Sequence, residues 1–305
     1  MTSRSAPIAV FAYNRPDHLQ LTLQSLVACE GFDDAPVTIF IDGPKNEAGA
    51  QTTKQVRQVA LRVLGESADI RVSATNQGLS KSIVAGVGEL VARHGKVIVV
   101  EDDLILAPPF LEFMNAALNR YQSNDNVYQI TGFMFDIPEL ADQEEAIFLP
   151  MVSTWGWATW DRAWKVFDAN ATGWGRMRQD RQLRRRFNFD GAYPYSWLME
   201  RQQRGRSDSW GVRWYWSVFQ RDGVTLFPPV SMVRNTGQDG SGTHGGGLMA
   251  DFETRPEISV ANLPKLPEFV AVKEANRALV KNALWRQNGA WKGWLFQNMR
   301  HYLGL

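Results

Sequence analysis

Three consecutive carboxylates, Glu101-Asp102-Asp103, follow directly on the apolar run Val97-Ile98-Val99-Val100. A run so rich in β-branched residues reads as a buried strand, so the triplet falls where that strand leaves its sheet. Like charges this close repel one another, and crowding them at a strand end costs stability unless a cation is bound there. Hard divalent cations such as Mg²⁺ or Mn²⁺ prefer oxygen ligands, usually one or two carboxylates plus the phosphates of a substrate. The chemistry that suits these residues is a metal–diphosphate site at the edge of an α/β sheet. The alternative for so short a motif is a solvated acidic turn.

The elements that must position the triplet alternate through the first half. Strands are expected over 8–13, 37–42, 70–73, 97–100 and 127–131. Helices are expected over 16–28, with Pro16 at its start, and over 51–64, 78–93 and 110–121, the last after Pro108-Pro109. That order predicts an α/β fold, a mostly parallel sheet with helices on both faces. Ligands of such sheets sit beyond the carboxyl ends of the strands. Asn14-Arg15, Asp42 in the Asp42-Gly43-Pro44 turn, Asn76-Gln77 and the acidic triplet all fall at that edge.

Composition narrows the classes further. A chain of 305 residues can bury a large core, and a formal charge of +1 gives no reason to expect nucleic acid as a partner. The lone Cys29 excludes a disulfide framework or a cysteine zinc cluster and suits a reducing compartment. The start Met1-Thr2-Ser3-Arg4-Ser5-Ala6-Pro7 lacks the apolar stretch of a signal peptide, and no run approaches the ~18 apolar residues of a spanning helix. A cytoplasmic protein, or one lying on a membrane surface, is expected. Gly86-Val87-Gly88 sits inside a helix pattern, so it is no dinucleotide fingerprint. P-loop, His-Glu-x-x-His and Gly-x-Ser-x-Gly motifs are absent, and His18, His94, His244 and His301 are not paired at ligand spacing.

The second half changes character. All twelve tryptophans lie after residue 154, and arginines cluster at Arg176-Met177-Arg178 and Arg184-Arg185-Arg186. Indole faces suit the C–H faces of sugars, although core packing is the commoner use of any one tryptophan. The expected organisation is a ligand-binding half over 1–150, an acceptor-binding half over 151–250 and an extension over 251–305, in one continuous fold.

With these residues in place a resemblance emerges. The stretch from Leu79-Ser80-Lys81-Ser82 through Glu101-Asp102-Asp103-Leu104 to Ala107-Pro108 resembles the inverting N-acetylglucosaminyltransferase I family. So do Ser153-Thr154-Trp155-Gly156-Trp157-Ala158-Thr159-Trp160, Phe227-Pro228-Pro229-Val230-Ser231 and Asp239-Gly240-Ser241-Gly242-Thr243-His244. More closely, residues 6–250 resemble bacterial family-2-like sugar transferases, in the opening Phe11-Ala12-Tyr13-Asn14-Arg15-Pro16 and in Ser209-Trp210-Gly211-Val212-Arg213-Trp214. The resemblance implies a GT-A fold and a metal-dependent inverting glycosyltransferase. Its donor would be a nucleotide-sugar, UDP-linked by expectation, and its acceptor a glycan or lipid-linked saccharide in bacterial polysaccharide assembly.

Carried over position by position, Ala12, Tyr13 and Arg15 would border the nucleotide and Asp42 would accept from the base N–H. For Arg15 the alternative is a surface ion pair; for Asp42 it is a turn residue. Asn76, Ser80 or Lys81, and Trp155 would complete the nucleotide-sugar set. Asp103 would be the direct Mn²⁺ or Mg²⁺ ligand, with Asp102 and Glu101 orienting water, ribose or sugar hydroxyls. Asp208 would be the general base; its alternative is capping a helix over 209–219, and Asp161 and Asp239 are the fallbacks. In the glycine-rich stretch 239–247, Ser241 and Thr243 would meet phosphate oxygens and His244 the diphosphate or metal, unless it is an ordinary connection. Rival functions are a sugar-nucleotidyltransferase, which normally needs a glycine-rich loop after its first strand, and a non-catalytic carbohydrate-binding protein.

The last expectation concerns the tail. From Ala275 to Leu305 there is no acidic residue, while Arg277, Lys281, Arg286, Lys292 and Arg300 are interleaved with Trp285, Trp291 and Trp294. That pattern fits a helix in the interface of the inner membrane face, or else a terminal helix packed on the domain.

Overall fold

A computed structural model describes residues 5–33, 35–237 and 263–287. The first half runs β1 (Ile8–Ala12), α1 (Pro16–Val27), β2 (Val37–Ile41), α2 (Glu47–Leu64), β3 (Asp69–Val72), α3 (Leu79–His94), β4 (Lys96–Glu101), β5 (Leu104–Leu106), α4 (Phe110–Arg120) and β6 (Val127–Thr131). There follow α5 (Pro138–Ala141), β7 (Ile147–Leu149), β8 (Trp157–Trp160), α6 (Asp161–Trp164), α7 (Arg176–Gln179), α8 (Arg181–Phe187), α9 (Tyr195–Gln203), α10 (Trp210–Phe219), β9 (Val224–Phe227), β10 (Val233–Asn235) and α11 (Glu274–Gln287).

Local signals place these elements. Pro16 opens α1, Asn46 caps α2 by accepting from the Gly49 N–H at 3.1 Å, and Gly95 ends α3 in the left-handed conformation with φ 78°. Every position of β1 is buried, so both of its faces are covered, which is why it reads as an unbroken apolar run. Helix α3 lies hard against this strand. A Cβ on Gly86 would come within 2.8 Å of the Phe11 ring, which stacks on Phe40 at 5.0 Å.

Among the described residues the main sheet has eight strands in the order β3-β2-β1-β4-β8-β6-β9-β7. β1, β2, β3 and β4 are parallel, β6 and β9 run the same way, and β8 and β7 are antiparallel to them. The α/β architecture is the expected one. The strands after β6 were not expected, and they matter: β8 inserts between β4 and β6, so the second half completes the sheet of the first. From β1 the chain steps outward to β2 and β3, then α3 returns it to set β4 on the other side of β1. This reversal opens a crevice at the carboxyl ends of β1 and β4.

The tryptophans are mostly core. Trp157, Trp160, Trp164, Trp174, Trp210, Trp214 and Trp216 are buried. Trp157, Trp164, Trp210 and Trp214 pack ring on ring, and the Trp214 indole N–H donates to the buried Gln129 side chain at 2.5 Å. Trp155 and Trp197 stay half-buried, and Trp285 is exposed.

The start of the tail takes the second of its two expected forms. Residues 263–287 fold back onto the domain: the Tyr121 hydroxyl donates to the Pro267 carbonyl at 2.7 Å, and Val280 and Leu284 of α11 are fully buried. Arg277 pairs with Asp190 at 2.7 Å and Lys281 approaches it at 3.9 Å, so two cations of the supposed interfacial helix face an internal carboxylate. Through residue 287 this segment is a packed element of the fold; residues 288–305 lie outside the described residues. No described helix is long and apolar enough to cross a membrane.

Leu284→Ala should therefore destabilise the protein by about 2–5 kcal/mol, the usual cost of emptying a buried leucine site. Chemical denaturation monitored by tryptophan fluorescence reads this directly. An unchanged unfolding midpoint would mean that α11 is not docked.

Candidate functional site

β1 and β4 end side by side, with Phe11 level with Glu101. Beyond them Tyr13-Asn14-Arg15 and Glu101-Asp102-Asp103 face one another. The Tyr13 backbone N–H donates to Asp102 Oδ2 at 3.1 Å, and Arg15 Nη2 bridges Asp102 Oδ1 at 3.2 Å and Asp103 Oδ2 at 3.0 Å. Thr22 of α1 holds the turn from beneath, its hydroxyl donating to the Asp102 carbonyl at 2.8 Å.

The far wall is formed by the chain leaving β9. β10 pairs antiparallel with β5, and the Thr236 N–H and hydroxyl both donate to the Asp103 carbonyl, at 2.8 and 3.0 Å. His18 Nε2 lies 3.3 Å from the Thr236 carbonyl oxygen. At Gly237 a Cβ would stand 2.2 Å from Asp103 Oδ2 and 2.7 Å from Arg15 Nη1, so a side chain there would displace the Asp103–Arg15 pair. Thr22, Thr236 and Gly237 escaped sequence reasoning, because a threonine hydroxyl and a crowded glycine carry no local motif.

The site's electrostatics follow from three carboxylates sharing one guanidinium. Burial pushes the Asp102 carboxyl up to about 6; Arg15 and the Tyr13 N–H pull it down, and Asp103 pushes it further up. Glu101 keeps some surface exposure, yet its carboxyl is hemmed in by protein. Burial raises it well above the usual carboxylate range, Asp103 and Asp102 add repulsion, and Arg15 opposes them. Arg15 is thus not enough to balance the turn. A hard cation fits this donor set: surplus negative charge, oxygen ligands, and a crevice for phosphates to complete the coordination. Asp103 would hold it. Among the described residues no three His, Cys, Asp or Glu side chains form a ready-made metal cage, so the substrate would supply the remaining ligands.

Asp42 occupies the same edge but is already satisfied. Its Oδ1 accepts from the N–H groups of Gly43 at 2.8 Å and Gln77 at 2.7 Å. Its Oδ2 accepts from Asn76 Nδ2 and the Gly78 N–H, both at 2.9 Å. Two bonds to each oxygen exhaust the carboxylate's ordinary acceptor capacity. Asp42, expected either to accept from a nucleobase or to serve as a turn residue, clamps the end of β2 to the loop leading into α3. Asn76 Nδ2 donates to Asp42 Oδ2 and to the Gly43 carbonyl, at 2.9 and 3.0 Å. Ala12 is buried, its carbonyl accepting from the Asp42 N–H at 2.9 Å. Tyr13 is half-buried beneath Lys45, whose ammonium lies 5.7 Å from its ring centre.

Asp208 is exposed and pairs through Oδ1 with Arg213 Nη2 at 2.7 Å. The same nitrogen donates to Ser80 Oγ at 2.5 Å, so Arg213 ties the entry to α10 to the start of α3. Asp208 does not cap that helix; Ser209 does, accepting from the Val212 N–H at 3.4 Å. Lys81 is exposed on α3, over a cleft of about 260 Å³ that Arg71, Ser73 and Gln77 also line. Trp155 precedes β8 at the same edge of the sheet, its ring edge-on to Phe133 at 4.9 Å. The fallback Asp161 fails: it follows Trp160, which is level with Lys96 at the opposite edge, and it pairs with Lys165 at 2.5 Å. Asp239, Ser241, Thr243 and His244 lie outside the described residues.

No protein-family model matches the chain. Among solved structures it is similar to a mannosyltransferase from Pyrobaculum calidifontis in complex with GDP-Man and Mn²⁺, at 15% identity and a TM-score of 0.36, covering 52% of this chain and 45% of that one. It is also similar to the galactosyltransferase LgtC in complex with donor and acceptor sugar analogues, at 16% identity and a TM-score of 0.36, covering 56% and 64%. A cytidylyltransferase from Leptospira borgpetersenii aligns at 10% identity and a TM-score of 0.33, covering 54% and 63%. The alignments span less than two thirds of each of these proteins. Likenesses this distant carry no argument about activity, which must come from the site itself.

The charge imbalance makes stability depend on pH. In metal-free protein the folded state holds protons on Asp102 and Glu101 that the unfolded state, with ordinary carboxylate values near 4, has released. The fold therefore loses stability as pH rises through that window, which for Asp102 ends at about 6. Glu101→Gln should raise the melting temperature of metal-free protein at pH 7.5, with the advantage shrinking toward pH 4. An advantage independent of pH would show that Glu101 carries no strain from ionisation.

Proposed function

We propose that the chain is a GT-A-type, metal-dependent, inverting glycosyltransferase that takes a sugar from a UDP-sugar to a glycan or lipid-linked acceptor in bacterial polysaccharide assembly. The observation that carries this reading is the acidic turn at the reversal between β1 and β4, undercompensated by Arg15. A diphosphate with its cation is the ligand that suits such a turn. When bound, that cation supplies Lewis-acid neutralisation of the departing diphosphate.

The chain's own groups take the other roles. Arg15 offers its guanidinium to the phosphates, and Glu101 and Asp102 accept from ribose or sugar hydroxyls. Asn76 and Tyr13 border the nucleoside, while Trp155 offers a ring face to the sugar. Asp208 is the general base: Arg213 holds Oδ1 and fixes the carboxylate, leaving Oδ2 to take the acceptor's hydroxyl proton. The new acceptor O–C1 bond forms as the C1–O bond to the diphosphate breaks, with its electron pair leaving on the phosphate.

Two measurements test this. UDP should raise the melting temperature only when Mn²⁺ or Mg²⁺ is present, and Asp103→Ala should abolish that shift while leaving the fold intact. Metal-dependent stabilisation that survives in Asp103→Ala removes the centre of the reading. Asp208→Asn should still bind donor but lose at least ~10²-fold in transfer rate, the usual contribution of a general base. A product with retained anomeric configuration would contradict inversion.

A further inference from the structure

Residues 176–206 hold nine arginines, no lysine and three acids, a formal charge of +6 in a chain whose total is +1, so the remainder carries −5. The three acids are all engaged. Asp180 caps α8 through the Leu183 N–H at 2.8 Å, Asp190 takes Arg277 of α11, and Glu200 takes Arg178 at 3.2 Å and Arg204 at 2.8 Å. Arg176, Arg181, Arg185, Arg201 and Arg206 are exposed, and no carboxylate pairs with any of them among the described residues.

These charges belong to one surface region. The Arg178–Glu200 pair joins α7 to α9, and Arg184 donates to the Met177 carbonyl at 3.1 Å, joining α8 to α7. On α8, Leu183 and Phe187 turn inward while Arg181 and Arg185, four apart, share another face. On α9, Arg201 lies 5.0 Å over the half-buried Trp197 ring. The region leads directly into Asp208.

We propose that the α7–α9 surface docks the protein on an anionic phospholipid leaflet. Guanidinium is the cation best matched to phosphate, planar and able to donate two parallel hydrogen bonds, and it gives up its water more readily than an ammonium. Arginine beside tryptophan suits the headgroup layer, where an aromatic ring can sit with one end dry and one wet. Charge segregation favours a flat partner over a long polyanion. The formal charge of +6 is confined to these 31 residues, and a leaflet can meet that one surface alone. The docking needs neither α11 nor the sugar-transfer reading.

The test is sedimentation of the full chain with vesicles. At low salt it should pellet with phosphatidylglycerol-containing vesicles and not with pure phosphatidylcholine, and 0.5 M salt should release it. Arg181→Gln/Arg185→Gln/Arg206→Gln should weaken partitioning about 100-fold, since each cation near an anionic leaflet contributes a factor of about five. The corresponding triple lysine variant should keep binding within about tenfold, which separates loss of charge from misfolding. Failure to pellet, undiminished pelleting of the glutamine variant, or retention on DNA without vesicle binding each overturns the proposal.

Discussion

The structure turns on one electrostatic problem: three adjacent carboxylates at the end of a buried strand. Nothing within the strand resolves it, so the surrounding chain is organised to do so in part. Arg15 reaches across from the end of β1, the Tyr13 N–H binds one carboxylate, and threonines from α1 and from the β10 segment bind the two carbonyls. These restraints fix the turn's geometry, and burial, with the neighbouring carboxylates adding to it, pushes Asp102 and Glu101 upward despite Arg15. A turn whose only purpose was structural would gain by substituting an amide for one acid. Holding three carboxylates in a crevice makes physical sense when something positive is bound there.

The same constraint explains why the chain takes so long a path back to this point. Segment 228–237 leaves the far side of the sheet, passes the Met232–Gly132 contact at 2.7 Å, and pairs with β5 before closing on Asp103. Gly237 then packs against the Asp103 and Arg15 side chains. The crevice therefore has walls from both halves of the sequence, although its charged floor comes from the first.

Legibility in the sequence follows physical range. Strands buried on both faces read as apolar runs, so β1 and β4 were evident. β7 and β8 span three and four residues and owe their place to tertiary packing, so periodicity could not announce them. The motif around Trp155–Trp160 was noticed for its resemblance, while its role as an inserted antiparallel strand was not. Asp42 shows the limit most sharply. Base acceptor and turn residue were both reasonable at that position, and three of the groups that decide between them belong to residues 76–78. No pattern near Asp42 reveals donors that lie so far along the chain.

Charged residues were misread for the same reason, and the errors point in a consistent direction. The cations of α11 looked available because their partner, Asp190, lies 87 residues away from Arg277. The arginines of α7–α9 drew less notice, although their region spends its acids on internal tasks. Asp208 and Arg213 are close in sequence, but what gives the pair meaning is Ser80, 133 residues from Arg213, which fastens it to the helix start beside the crevice. A charge count along the chain thus measures supply, and the structure determines demand. Where demand is met inside the fold, as at Asp190 and Asp42, a charged residue is architecture. Where supply exceeds demand, as at the acidic turn and on the arginine surface, the excess is what remains for a ligand to meet.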